Sequence, residues 1–292
     1  MFKIASKILY LILKLFDNFI FIITKRRFLI WFKDFIENDS YRKIKIQGNS
    51  KKEIKLFAPN YLTDWLVKDF YFKEPETIEW INDFKESGKK IIFWDIGANL
   101  GLYSIYAAIK HQKIEVISFE PSTSNLRILS RNISINNLQD KVSINQLALG
   151  NKSFEFCYFR ESVFGEGESN NSFNSQTNYE GKTFKSENTY RILGTSINNI
   201  LDQKILEVPD YIKIDVDGLE HIILNGASKH LKNPKIKSLQ VELNENYTKQ
   251  FDAVMKIMEE NNFKFKYKKR NENFNLYKFE GFSKIYNYYF EK

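Results

Sequence analysis

Cysteine is almost absent from this 292-residue sequence. Cys157 stands alone, so no internal disulfide forms, and the chain suits a reducing compartment. The alternation around Cys157 predicts an unreactive strand position. The three histidines, His111, His221 and His230, have no spacing typical of a zinc site. No uninterrupted apolar run reaches the roughly 18 residues that cross a bilayer. No internal repeat occurs. Neither the dinucleotide turn G-x-G-x-x-G nor the phosphate loop G-x-x-x-x-G-K-[ST] is present. A disulfide scaffold, a clustered zinc enzyme and a triphosphate binder are thereby disfavoured.

Apolar residues make up 43% of the chain and aromatics 16%, enough for a packed core in place of disorder. The formal net charge of +8 suits an anionic membrane face or an anionic substrate, although solvated lysines account for much of it. Residues 2–32 mix apolar bulk with Lys3, Lys7, Lys14 and Asp17, followed by Lys25-Arg26-Arg27. The lysines recur at helical spacings, as in a basic helix lying on an anionic membrane. A helix packed on the domain or on a second subunit is the alternative. No small-residue cleavage site follows, so a cleaved signal peptide is not expected. The expected location is cytoplasmic, peripheral on the inner face of the membrane.

The alternation around Ile44, Ile46, Ile54 and Leu56, with Gly48-Asn49 between, predicts a hairpin. Residues 61–87 read as helical, closed by Ser87-Gly88. From residue 90, strand and helix alternate. Strands are expected at Ile91–Asp95, Val116–Phe119, Val142 to about Gly150, Phe154–Phe159, Tyr211–Val216 and Ser238–Leu243. Helices are expected at Leu102–Lys110, from Ser122 or Ser124 to about Asn136, at Gly218–Leu231 and at Phe251–Glu260. Phe263–Tyr267 and Phe274–Phe279 read as an antiparallel pair. Residues 160–195 read as a long polar loop, functional or mobile. The expected fold is α/β: a doubly wound, Rossmann-like, mostly parallel sheet with an antiparallel C-terminal strand pair and an N-terminal helical and hairpin extension. Three regions are expected: 1–40 amphipathic helix, 41–89 hairpin and helix, 90–292 the sheet domain.

"DIGANLG", residues 95–101, follows the apolar run Ile91–Trp94. Asp95 ends the first strand, Gly97 forms the turn, and Glu120 ends the second strand. An acid at that second position accepts hydrogen bonds from both hydroxyls of a ribose. Two carboxylates repel a pyrophosphate, so the ligand carries a ribose and cationic groups. S-adenosylmethionine fits this description. Asn99 would bind the cofactor or cap the helix. Ala148 and Leu149, near the third strand's end, would flank the adenine. Tyr106 and Lys110 match the Tyr-x-x-x-Lys pair of short-chain dehydrogenases, but too early in the chain to face a nicotinamide. Gly165 and Gly167 read as flexible positions only, and His221 as a surface or core histidine.

In order, "FWDIGANLGLYSIYAA", "ISFEPSTSNLRILSRNISIN", "LALG" and "YIKIDVDGLEHIILNGA" resemble the FkbM family of S-adenosylmethionine-dependent methyltransferases. The resemblance spans about residues 75–245 and includes "TSINNIL". It implies a class I methyltransferase sheet and O-methylation of a hydroxyl, often on a sugar or polyketide. The family usually has Asp-x-Glu-Gly where this chain has Asp215-Val216-Asp217-Gly218, one methylene shorter at Asp217.

Transfer to a sugar hydroxyl needs a general base, or a metal that acidifies the hydroxyl. Alternation places Lys213 and Asp215 on one side of their strand, with Asp217 just beyond and Glu242 ending the next. Asp215, Asp217 and Glu242 are therefore the catalytic candidates, Asp215 first. Together with Glu220 they would repel unless a proton, Lys213 or a divalent cation such as Mg²⁺ compensates; no metal ligand is assigned. The expected acceptor is a small molecule or glycan, not nucleic acid. A nicotinamide-dependent sugar oxidoreductase is an alternative that would need the absent G-x-G-x-x-G turn. A membrane-bound binding module without activity is another, and it would bind cofactor without methylating any cell glycan.

Overall fold

The computed structural model describes residues 1–47, 49–85, 88–270 and 284–292. Two helices lead, α1 (Phe2–Thr24) and α2 (Phe28–Asn38). Asp17 joins them: it is 2% exposed, its Oδ1 accepts from the Leu29 N–H, and Arg27 Nη1 lies 2.7 Å from its Oδ2. The acid that interrupts the apolar stretch in sequence is thus the latch of a helical hairpin. The apolar side chains around it stay exposed, among them Ile8, Ile12, Leu15, Phe19, Trp31 and Phe35. Among the described residues, no helix is long and apolar enough to cross a membrane.

The β-hairpin follows as β1 (Tyr41–Ile46) and β2 (Asn49–Phe57), paired antiparallel; Gly48 lies outside the described residues. The single helix expected over 61–87 is three pieces: α3 (Tyr61–Lys68), α4 (Phe70–Lys73) and α5 (Pro75–Asn82). Pro75 explains the last break, because it has no N–H to continue the ladder and its ring is tolerated only in a first turn. Ser87 lies outside the described residues. α5 is packed into the main core. Trp80 Nε1 donates to Ser238 Oγ at 2.9 Å, and Phe84 stacks on Tyr211 with ring centroids 3.8 Å apart.

Next come β3 (Ile91–Ile96), α6 (Leu102–Lys110), β4 (Ile114–Phe119), α7 (Thr123–Ile135) and β5 (Val142–Asn145). Ser122, not Ser124, caps α7 by accepting from the Asn125 N–H. The third strand then breaks. β6 (Ala148–Gly150) leaves the main sheet and joins β7 (Glu155–Glu161), β8 (Asn171–Phe173) and β9 (Asn188–Ser196) in a four-stranded sheet of order β6-β9-β7-β8. The region expected as a polar loop therefore contains two strands. β9 had no apolar periodicity to announce it; its register against β7 supplies the pairing. Cys157 is half-buried in β7.

α8 (Ile197–Asp202), β10 (Tyr211–Ile214), α9 (Glu220–Asn225), β11 (Ser238–Asn244), α10 (Thr248–Glu260), β12 (Lys264–Lys269) and β13 (Ile285–Glu291) complete the chain. The Phe274–Phe279 expectation lies outside the described residues; β12 pairs antiparallel with β13 instead. The seven-stranded sheet runs β12-β13-β11-β10-β3-β4-β5, with β13 antiparallel to its neighbours. This is the doubly wound, mostly parallel α/β sheet expected. β3 is buried at every position, which is why it reads as a continuous apolar run. Its two faces hold separate cores: Phe93 packs with Trp80 and Tyr106, and Trp94 with Phe119 and Leu239. Each such side chain contributes about 1.5–3 kcal/mol by leaving water. The chain winds outward in both directions from β3 and β10, so the crevice beyond their carboxyl ends is where a sheet of this kind binds ligands.

Candidate active site

That crevice is a cavity of about 570 Å³. Its first wall is the turn after β3. Gly97 has φ 85°, and a Cβ there would lie 1.8 Å from the Asp215 carbonyl oxygen. Only glycine lets the turn pass so close to the end of β10. The Gly97 and Ala98 N–H groups both donate to the Phe119 carbonyl, each at 3.0 Å, which ties the turn to β4. Asn99 also has positive φ, and its N–H donates to Glu120 Oε2 at 2.7 Å. The Ser122 N–H donates to Glu120 Oε1 at 2.8 Å.

Glu120 is 4% exposed and lines the cavity. Burial pushes its pKa up to about 7, against the pull of its hydrogen bonds from Ser122, Asn99 and Asn125. A carboxylate offers about four acceptor positions, so roughly one is left for a ligand hydroxyl. Ala148, Leu149, Phe159, Phe173, Leu219 and Ile223 form an apolar slot beside it. The buried Asn99 Oδ1 has no partner. Glycine cradle, buried carboxylate, apolar slot and orphaned acceptor together fit S-adenosylmethionine. Gly97, Asn99, Glu120, Ala148 and Leu149 are thus gathered at one end. Asp95 is placed differently: it is 0% exposed beneath the turn, outside the cavity lining. Its Oδ2 accepts from Ser104 Oγ at 2.6 Å and its Oδ1 has no partner. Burial pushes its pKa up and Lys213 pulls it down.

A strap from the second sheet covers this end. The Gly167 N–H donates to Asn125 Oδ1 at 2.8 Å, Asn125 Nδ2 donates to the Glu168 carbonyl at 3.2 Å, and the Asn170 N–H donates to Asp217 Oδ2 at 2.7 Å. Gly167, read from sequence as merely flexible, is buried and lines the cavity. Nothing local marks it, because its partners lie on α7 and after β10.

The far end is built by register. β3, β10 and β11 are in parallel register with Asp95, Lys213 and Gln240 side by side, and Ile214 beside Val241. One residue further on, Asp215 and Glu242 are brought together, with Asn287 opposite Glu242. Lys213 is 1% exposed, and its Nζ lies 2.7 Å from Asp215 Oδ2. Burial opposes the charge on Asp215, but Lys213 and Lys73 hold its pKa below the usual carboxylate range. Glu242 is driven the other way, well above that range, by burial and then by Asp215 and Glu74. A hydrogen bond between Glu242 and Asp215 acts with the two lysines to favour the charge on Asp215. Asp217 has φ 59°, and burial followed by Asp215 raises its pKa to about 6. Repulsion in the cluster is thus relieved by Lys213, Lys73 and the hydrogen bond between Asp215 and Glu242. Among the described residues, no three His, Cys, Asp or Glu side chains converge to hold a metal ion. Neither Glu220, His221 nor Tyr106 lines the cavity.

The sequence reading missed Lys73, Glu74 and Glu76 in "FKEPETIEW", and Asn287 on β13; all four line the cavity. The only local signal was acids flanking Pro75.

The profile of the methyltransferase FkbM domain matches residues 95–265. Among characterised proteins, the chain is similar to methyltransferase sdnD of Sordaria araneosa, 25% identical over 154 residues, which cover 46% of this chain and 60% of that relative's length. Among solved structures, it is similar to precorrin-6y C5,15-methyltransferase from Geobacter metallireducens GS-15 (TM-score 0.43, 11% identity, 75% of this chain and 86% of that one). It is also similar to M. capricolum TrmK in complex with S-adenosylhomocysteine (TM-score 0.42, 12% identity, 74% and 67%).

Proposed function

The chain belongs to the FkbM methyltransferase family, and from that premise we propose that it methylates a hydroxyl of a small molecule or glycan, using S-adenosylmethionine. The observation that carries the cofactor assignment is Glu120, buried at the end of β4 across the Gly97 turn with about one acceptor position left for a ribose hydroxyl. The cofactor supplies a methyl carbon already activated by its sulfonium. Gly97, Asn99 and Glu120 would hold one end of it, beneath the Gly167–Asn170 strap. Asp215, ionised and fixed by Lys213, would take the proton that the acceptor hydroxyl loses. Alignment of the two reactants supplies up to about 7–11 kcal/mol of the barrier reduction. The products are a methyl ether and S-adenosylhomocysteine.

The acceptor in this reading is a sugar of a surface polysaccharide or lipid-linked saccharide, not nucleic acid. The exposed apolar faces of α1 and α2, with Lys3, Lys7, Lys14 and Lys25–Arg27 beside them, support peripheral docking on an anionic membrane at the cytoplasmic face. Residues 1–40 would form the docking element, 41–89 the acceptor-side wall, and 90–292 the methyl-transfer sheet. The test is incubation with methyl-labelled cofactor and fractionated cell extracts, followed by mass spectrometry of the labelled product. Label on a saccharide hydroxyl supports the reading; label on nucleic acid overturns it.

A further inference from the structure

Resting on that reading, we infer that Glu74, outside the matched domain, is an acceptor-binding residue, and that the cavity selects an uncharged polyhydroxylated ring over an anionic one.

Glu74 sits at the break between α4 and α5. Pro75 ends the preceding helical path there, and Glu74 takes φ −140° and ψ 67°, which turn its side chain inward. It is 5% exposed yet lines the cavity. Three donors fix its carboxylate: Lys73 Nζ lies 3.1 Å from Oε1, Thr77 Oγ1 donates to Oε2 at 3.2 Å, and the Tyr103 hydroxyl hydrogen-bonds to it. Tyr103 also lines the cavity, one turn beyond the cofactor's glycine turn. A carboxylate oriented this way keeps about one acceptor position for a hydroxyl donor without paying the rotamer entropy of a free side chain.

The charge around it sets the selectivity. Glu74, Glu76, Asp215 and Glu242 line this end, against Lys73 and Lys213. Lys213 is committed to Asp215, and Lys73 to Glu74. A third cation on the lining, Arg270, lies over the Tyr286 ring at 5.2 Å. Asn287 Nδ2 donates to Glu76 Oε1 at 3.0 Å, so Glu76 is a fixed acceptor too. A carboxylate on the acceptor would face these acids, the buried Glu74 and Glu76 among them, at close range, where like charges repel. Hydroxyls are donors that the same acids receive. The +8 of the whole chain therefore does not predict an anionic acceptor, because acids outnumber cations on the cavity lining, with Glu120, Glu168 and Asp217 beside the four already named.

The test uses the full chain with methyl-labelled S-adenosylmethionine and two pools of probes: methyl glycosides of neutral hexoses and pentoses, and methyl glycosides of hexuronates. Label should enter the neutral pool and not the uronate pool. Glu74→Gln should raise KM for the labelled neutral glycoside about tenfold or more, the loss of one charged hydrogen bond. Calorimetry on that variant should give an unchanged Kd for the cofactor, and Glu74→Asp should recover part of the loss. Equal labelling of uronates by the wild type overturns the inference, whatever the variants do. So does an unchanged KM in Glu74→Gln. No label in either pool from protein that binds the cofactor overturns the saccharide reading of the acceptor, and this inference with it.

Discussion

Lys213 and Asp215 form a salt bridge of 2.7 Å in which the lysine is 1% exposed and the acid lines the cavity. The pair does two jobs. It keeps a cation inside the sheet, and in the proposed reaction it would aim an ionised carboxylate at the place where the acceptor loses a proton. Asp215→Asn should lower turnover by roughly 10²-fold or more. It should also lower the melting temperature, since a buried charge without its partner costs about 3–5 kcal/mol. Combining it with Lys213→Met should recover stability but not turnover. Restored turnover in the double variant would show that Asp215 serves only the fold.

Glu120 gives a cofactor test. Glu120→Ala should weaken S-adenosylmethionine binding by about 1.5–3 kcal/mol, the contribution of hydrogen bonds to a charged acceptor. Glu120→Gln keeps the shape but only one acceptor oxygen, so it turns an amide donor towards either the Asn99 or the Ser122 N–H and tests the carboxylate without a change of size. Calorimetry should show no binding of NAD to the wild type. Undiminished cofactor affinity in both variants would rule out the ribose assignment.

Glu220 gives a pH test of stability. It is 1% exposed, its Oε1 accepts from the Val216 and Gly218 N–H groups, and burial pushes its pKa up to about 8. In the unfolded chain a glutamate ionises near pH 4.3. Below that pH both states hold the proton, and the contribution of this group is fully present. As pH rises towards about 8 the unfolded state loses its proton first, and that contribution is lost. Thermal melts should therefore decline from about pH 5 to 8, and less steeply in Glu220→Gln, which cannot ionise. Identical slopes for the two proteins would contradict the shifted pKa.

The helical hairpin predicts membrane behaviour. Flotation with anionic liposomes should be strong at low salt, weaken as salt rises, and vanish when residues 1–30 are deleted. Equal flotation with neutral lipid at high salt would mean that apolar insertion alone holds the protein, without the basic residues.

Local rules made much of this protein legible. Alternating apolar runs and turn residues announced the parallel sheet. Gly97 and Glu120, 23 positions apart, announced a ribose-bearing ligand, because a strand-end turn and the next strand's end must be neighbours in such a sheet. Ser122 announced its own helix cap. Tertiary structure decided the rest wherever partners were distant in the chain. Asp95 went under the turn because Ser104 and Lys213 meet it there. Asp215 became the fixed anion, and the pKa of Glu242 was driven up, because parallel register set them side by side with a buried lysine. Glu74 reached the cavity only because Pro75 broke the helix and α5 packed on the sheet. β8, β9 and the strap at Gly167 carry no periodic signal, since their order comes from cross-strand pairing and from side chains of α7. Composition gave the total charge, but only folding separated the basic hairpin from an acidic cavity.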